Sequence, residues 1–115
     1  MINKNKIYLV AEIGVNHNGS IKRAKSMIYA AKKYGADAVK FQAFRAKDIS
    51  LVNTSKAKYQ KKQSNKKETQ YQMLEKYELQ YESFIDLKRY ARSLNIDFFL
   101  TASDSISLRF IVERL

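Results

Sequence analysis

Five side chains that could bind a ligand or take part in catalysis lie within or shortly after three short apolar runs of this 115-residue sequence. In chain order they are Glu12, Lys40, Gln42, Thr101 and Ser103. A lysine ammonium provides a point charge for a phosphate group, and serine and threonine hydroxyls donate hydrogen bonds to phosphate oxygens. A carboxylate beside them can orient a hydroxyl group or assist proton transfer. If the fold brings them together, these residues predict a site for a small phosphorylated anion.

The three apolar runs predict β-strands at residues 7–13, 36–41 and 96–100. A near-continuous apolar run, such as the first one, is typical of a strand that is buried on both faces of a parallel sheet. Lys40 is the exception within the second run, because a lysine is rarely buried without a partner. The position of Lys40 therefore predicts that its ammonium group contacts either a ligand or a neighbouring acidic side chain.

Apolar residues recur at helical spacing between and after the strands. The first predicted helix follows Ser20, which suits an N-cap, and ends near Gly35. Two further stripes cover residues 73–77 and 84–94, and another helix opens at Ser105. Strands that alternate with helices of this length predict the α/β class, with a parallel sheet and right-handed crossovers.

Parallel strands that alternate with helices place all their carboxyl ends at one edge, where ligands bind in open sheets and in barrels. Within each strand end, Lys40 and Gln42 share a face, as do Thr101 and Ser103. The residues therefore predict an anion site at this edge. A structural ion pair between Lys40 and Glu12 is the alternative that the residues leave open.

The chain carries 22 Lys and Arg against 11 Asp and Glu, a formal net charge of +11. This charge fits an anionic partner or simply a lysine-rich surface. The lysines of residues 56–67 form either a solvated face or an electropositive rim that attracts an anionic substrate. No recognisable nucleic-acid-binding motif accompanies them, so no nucleic-acid partner is predicted.

The absence of cysteine excludes a disulfide framework and a thiolate metal site. No apolar run approaches the roughly 20 residues of a membrane span, so no membrane partner is predicted. No secretory signal is recognised, so a cytoplasmic location is expected. His17 is the only histidine and does not make a metal site alone. A role in the loop or in proton transfer stays open for it.

Five segments together resemble the sialic acid synthase family, which makes N-acetylneuraminate and the related pseudaminic and legionaminic acids. The segments are "AEIGVNHNGS" (11–20), "GADAVKFQAF" (35–44), "KAKYQKK" (56–62), "QMLEKYEL" (72–79) and "FFLTASD" (98–104). The resemblance implies a dimeric (β/α)8 barrel followed by an antifreeze-like domain. It also implies condensation of phosphoenolpyruvate with an N-acetylated aldehyde sugar such as N-acetylmannosamine, with a divalent metal, manganese or magnesium, as cofactor.

The resemblance also implies roles for particular residues. Lys40 would bind phosphoenolpyruvate, Glu12 would lie in the active site, and Thr101 would contact the phosphate side. Gln42 would face the sugar pocket beside Lys40. Asn16, which belongs to the family's loop motif together with His17, would be a substrate-binding residue.

Two departures from the family pattern bear on these expectations. The family reads Thr-Pro-Phe where this chain has Thr101, Ala102 and Ser103. A typical barrel has about 250 residues, so residues 1–115 are expected to form three βα units, without the remaining barrel, the second domain or the metal ligands. Such a part would be inactive alone and would self-associate through exposed strand edges. A non-enzymatic basic anion-binding module, and a related synthase that uses another aldehyde sugar, are the alternatives.

Overall fold

The structure, a computed structural model, describes residues 5–49 and 69–115. Three parallel strands form one sheet in the order β1-β2-β3. The strands are β1 (Val10–Gly14), β2 (Ala38–Ala43) and β3 (Asp97–Ala102). The helices are α1 (Ile21–Lys33), α2 (Ala46–Ile49), α3 (Gln70–Tyr77), α4 (Tyr81–Ser93) and α5 (Ser105–Arg114). The predicted alternation of strands and helices in a parallel α/β sheet is confirmed.

Among the described residues, helices cover one face of the sheet and leave the other open. On β2, Val39, Phe41 and Ala43 are fully buried, whereas Lys40 and Gln42 between them are only partly buried. The buried face packs against α1 and α4, whose central side chains Ile28 and Leu87 have no exposed surface. Because side chains alternate along a strand, every second residue of β2 points away from this core.

Local sequence signals explain where the helices begin. The Ser20 hydroxyl accepts a hydrogen bond from the Arg23 backbone N–H at 3.1 Å, which confirms the predicted N-cap of α1. Thr69 and Gln72 form a reciprocal capping box at the start of α3. Asp104 caps α5 through the backbone N–H of Ser107 at 2.7 Å. Among the described residues, no helix is long and apolar enough to cross a membrane.

Several predicted strand limits were wrong. β1 begins at Val10 rather than at residue 7, because its partner strand begins only at Ala38, the residue opposite Val10. Burial of this strand on both faces was also wrong, since Val10 and Glu12 are exposed on the open face. β2 and β3 each continue two residues beyond their predicted ends. The lysine-rich segment 56–67 lies outside the described residues.

Candidate functional site

Strand register brings Glu12 and Lys40 together. The two residues are direct partners in the β1–β2 pairing, and the Lys40 Nζ lies 2.6 Å from Glu12 Oε2. The side chains keep 34% and 48% of their surface exposed, respectively. The ion pair left open by the sequence is therefore formed, but on the open face of the sheet. A pair this exposed adds only about 0–1 kcal/mol to stability, so stability alone is a weak reason for a lysine here.

Gly14 makes room for the side chains beside this pair. A β-bulge separates Glu12 from Gly14, and Gly14 has a φ of +55°, which favours glycine. A Cβ at this position would lie 3.3 Å from Glu12 Oε1 and 3.4 Å from Gln42 Nε2. The carboxylate and the amide therefore approach the same point above Gly14. An ammonium, a carboxylate and an amide thus meet where β1 and β2 end.

Thr101 lies on the same face, one strand further along. It is the register partner of Gln42, and its exposed side chain donates a hydrogen bond from Oγ1 to the Phe41 carbonyl at 3.2 Å. A hydroxyl has a single proton to donate. In this rotamer Thr101 offers only lone pairs to the open face, so it must rotate before it can donate to a phosphate oxygen.

After Thr101 the chain carries Ala102 and Ser103 in place of the proline and phenylalanine of the Thr-Pro-Phe pattern. Ala102 continues the pairing of β3 opposite Ala43, and the Ser103 N–H donates to the Ala43 carbonyl at 3.0 Å. Ser103 is exposed just beyond the strand. Asn16 is exposed in the loop after β1, at the same end of the sheet. That Ser103 and Asn16 bind substrate stays a prediction.

His17 belongs to the core and not to the open face. Its side chain is completely buried, and its ring lies 6.0 Å from that of Phe41, which points towards the helices. Nδ1 accepts the Gly19 backbone N–H at 3.0 Å, so the proton of the neutral ring is on Nε2. Burial lowers the pKa of His17 below its ordinary 6.5. Of the two roles left open, the geometry favours the one in the loop.

The described residues do not fit the divalent metal that the family resemblance implies. Within residues 5–49 and 69–115, no group of three His, Cys, Asp or Glu side chains is placed to hold a metal ion. Glu12 is paired with Lys40, and Nδ1 of His17 is occupied by Gly19. A manganese or magnesium cofactor stays a prediction.

Sequence reasoning missed a polar network at the same end of the sheet. Glu78 Oε1 lies 2.8 Å from Nε of Arg45, and Glu78 Oε2 accepts the Ala46 N–H at 3.0 Å. The Arg45 backbone N–H in turn donates to Asp104 Oδ2 at 3.1 Å. An aspartate directly before a predicted helix is an N-cap signal, which could have identified Asp104. The pairing of Arg45 with Glu78 has no comparable local signal.

Hydrogen bonds hold Asp104 in its charged form. Burial on its own raises the pKa of this carboxyl group. Backbone and side-chain hydrogen bonds from Ser107, and backbone hydrogen bonds from Arg45 and Ile106, outweigh burial, so the pKa lies below its ordinary 3.8. The carboxylate therefore acts as a fixed acceptor at neutral pH.

Comparisons with known proteins agree with this architecture. A family model described as the NeuB family matches residues 27–115. The N,N'-diacetyllegionaminic acid synthase of Legionella pneumophila is 45% identical over 106 residues, which cover 92% of this chain and 30% of the relative. The N-acetylneuraminate-9-phosphate synthase of Drosophila melanogaster is 35% identical over 107 residues, which cover 91% of this chain and 28% of the relative.

Two solved structures align with nearly the whole of this chain. The N-acetylneuraminic acid synthetase of Leptospira borgpetersenii, in complex with citrate, aligns with a TM-score of 0.72 and 26% identity, over 98% of this chain and 37% of that one. The Bacillus subtilis spore coat polysaccharide biosynthesis protein spsE aligns with a TM-score of 0.64 and 28% identity, over 96% of this chain and 27% of that one.

The three parallel βα units, together with the alignment of nearly the whole chain to solved synthetase-family structures, define a part of a (β/α)8 barrel, as the fold prediction stated. The family model and the relatives make the identification narrower. The chain belongs to the NeuB family, which confirms the resemblance to sialic acid synthases. It spans about 30% of the length of these two curated relatives.

Proposed function

We propose that this chain provides the phosphoenolpyruvate-binding part of a transferase that forms a carbon–carbon bond in sugar-acid biosynthesis. The second substrate would be an N-acetylated aldehyde sugar such as N-acetylmannosamine, and phosphate would be released. The observation that carries the proposal is the Lys40 ammonium, 2.6 Å from Glu12 on the open face of the sheet. Relatives named as synthases of legionaminic acid and N-acetylneuraminate 9-phosphate support the sugar-acid class.

Lys40 would bind the anion. An ammonium has three N–H donors, and the contact with Glu12 occupies one of them. Two donors and the positive charge stay available for the phosphate or the carboxylate of phosphoenolpyruvate. Glu12 would keep the ammonium in place and orient a sugar hydroxyl or assist proton transfer. The remaining predicted contacts would surround this pair, with Thr101 and Ser103 on the phosphate side and Gln42 and Asn16 towards the sugar.

In the proposed reaction, the methylene carbon of phosphoenolpyruvate attacks the aldehyde carbon of the sugar and forms the new bond. Water then attacks the oxocarbenium centre, and phosphate leaves by cleavage of its carbon–oxygen bond. We assign turnover to a complete barrel rather than to these 115 residues, because they cover about 30% of the relatives' length. A cytoplasmic location stays a prediction.

A titration of the 115-residue chain with phosphoenolpyruvate tests the proposal. Lys40→Gln removes the proposed anion contact, and we expect it to weaken binding by about tenfold or more, as expected for a lost charge-assisted hydrogen bond. Lys33→Gln is the matched control, because Lys33 is exposed at the other end of the sheet, in the last turn of α1. Isothermal titration calorimetry measures both affinities.

Equal affinities of the Lys40→Gln and Lys33→Gln variants for phosphoenolpyruvate would contradict the proposal. Substitution of Lys61 and Lys62, which lie outside the described residues, separates the binding-module alternative. If those lysines carry the function, their loss weakens the binding of an anionic polymer and reduces the salt dependence of that binding, whereas the Lys40→Gln variant binds the polymer like the wild type. Their loss has little effect if the anion is held at the strand ends.

A further inference from the structure

The ends of β2 and β3 stay connected beyond the last pair of the sheet. That pair is Ala43 and Ala102. One residue later the Ser103 N–H donates to the Ala43 carbonyl at 3.0 Å, and then the Arg45 N–H donates to the Asp104 side chain at 3.1 Å. The side chain of Asp104 thus takes over where backbone pairing stops.

Asp104 serves two elements with one carboxylate. Its Oδ1 accepts the backbone N–H of Ser107 at 2.7 Å, which caps α5. Its Oδ2 accepts both the Ser107 hydroxyl at 2.9 Å and the Arg45 N–H at 3.1 Å. Hydrogen bonds to a charged acceptor are about twice as strong as neutral ones. The start of α5 is therefore fixed to the segment that follows β2.

Further contacts hold both partners of Asp104 in place. The Arg45 side chain pairs with Glu78 at 2.8 Å, and its guanidinium carbon lies 5.6 Å from the centre of the Tyr81 ring. The Tyr81 hydroxyl lies 3.0 Å from the Ser107 hydroxyl. The network is closed, because it returns through Ser107 to Asp104. It connects the ends of β2 and α3 with the starts of α4 and α5.

We propose that Asp104 is a positioning residue for the anion site. Asp104 holds the ends of β2 and β3 together, so that Gln42 and Thr101 stay beside Lys40. Gln42 and Thr101 form the last pair but one of the two strands, where a paired end is most prone to open. The Asp104 carboxylate accepts its hydrogen bonds from Ser107 and Arg45, whereas Lys40 pairs with Glu12. The inference depends on the proposed function for its consequence, the affinity for phosphoenolpyruvate.

Asp104→Asn separates the connection to Arg45 from the helix cap. Asparagine is as good an N-cap as aspartate, so its one carbonyl oxygen can still accept from Ser107. Its amide group is a donor and would face the donating N–H of Arg45. Asp86→Asn is the matched control, because Asp86 is exposed on α4, where it contacts Arg89 at 3.2 Å. Both variants lose the same charge.

Two measurements on the 115-residue chain test the proposal. Nuclear magnetic resonance without ligand follows the side-chain amide of Gln42 and the methyl group of Thr101. Calorimetry gives the affinity for phosphoenolpyruvate. We expect Asp104→Asn to move both resonances and to weaken binding at least about threefold relative to Asp86→Asn, while far-ultraviolet circular dichroism shows an unchanged helix content. If the Asp104→Asn variant does not fold, Asp104→Ser replaces it, because serine keeps the cap but is too short to reach Arg45.

Resonances of Gln42 and Thr101 that stay where they are in the Asp86→Asn variant would overturn the positioning role. The two proposals fail separately. If the wild-type chain binds no phosphoenolpyruvate but the Asp104→Asn variant moves the two resonances, the positioning role stands and the proposed function of the site fails. If the wild type binds and the variant changes neither resonance nor affinity, the positioning role fails and the proposed function stands.

Discussion

At the scale of residues, the placement of Lys40 follows from strand alternation and register. Phe41 on one side of it and Val39 on the other are buried against the helices, so Lys40 must point to the open face. The register then puts Glu12 directly opposite. The bulge at Gly14 lets the Glu12 carboxylate and the Gln42 amide approach each other without a side chain between them. Alternation, register and the bulge are all properties of the backbone, and together they bring an ammonium, a carboxylate and an amide to one place.

His17 provides a prediction about stability and pH. Because burial lowers its pKa below 6.5 in the folded chain, the unfolded chain binds a proton more readily. The free energy of unfolding is therefore at its full value above about pH 6.5 and falls as the pH drops below it, by at most about 1.4 kcal/mol per pH unit. Urea denaturation between pH 7.5 and 5 measures this loss.

The control for this pH dependence is His17→Asn, which keeps an acceptor near Nδ1 for the Gly19 N–H but does not titrate. His17 is the only histidine, so the variant should have a flat stability curve between pH 6.5 and 5. A wild-type curve that is equally flat would show that His17 is protonated as easily in the folded as in the unfolded chain. That result would contradict the buried position of the ring.

At the scale of elements, α1 and α4 form the layer that fixes the sheet. Leu87 on α4 is completely buried in this layer. Leu87→Ala should lower the free energy of unfolding by about 2–5 kcal/mol, because it removes buried carbon atoms and leaves a cavity. Leu108→Ala makes the same chemical change on α5 at a side chain that is 55% exposed. We expect it to change stability by no more than about 0.5 kcal/mol, as measured by chemical denaturation.

Similar losses in the two Leu→Ala variants would argue against the packing of α4 on the sheet. A loss of stability confined to Leu108→Ala would indicate that Leu108, and not Leu87, is buried in the core. Either result would also affect the site, because the buried face of β2 determines which of its residues reach the open face.

The elements show how much of the molecule could be predicted from the sequence. Apolar spacing and the Ser20 cap predicted α1, and the alternation of strands and helices predicted the parallel sheet, because these are local signals. Side-chain parity predicted the common face of Lys40 and Gln42. The bulge at Gly14, the rotamer of Thr101 and the contact between Arg45 and Glu78 could not be predicted. They depend on residues that meet only after the strands are in register.

At the scale of the whole molecule, the sheet formed by residues 5–49 and 69–115 is open where a barrel would be closed. In the part of the chain that the structure describes, β1 and β3 each have a strand on one side only. Exposed apolar side chains lie on the open face of the sheet, at Val10 and Phe99, and on α5, at Leu108. Open strand edges and exposed apolar surface favour association with other chains. The net charge of +11 opposes association between copies.

These opposing terms predict self-association that depends on salt. Salt screens the repulsion between the charged chains but leaves burial of apolar surface intact, so the average mass of the 115-residue chain should rise with both salt and protein concentration. Phe99→Thr removes an aromatic ring, 45% exposed, from the open face of β3, and should reduce the association. Tyr34→Thr removes a ring that is 80% exposed just beyond α1, and should leave it unchanged. Sedimentation velocity measures the masses; a Phe99→Thr variant that associates as strongly as the wild type would show that copies do not meet through the open face.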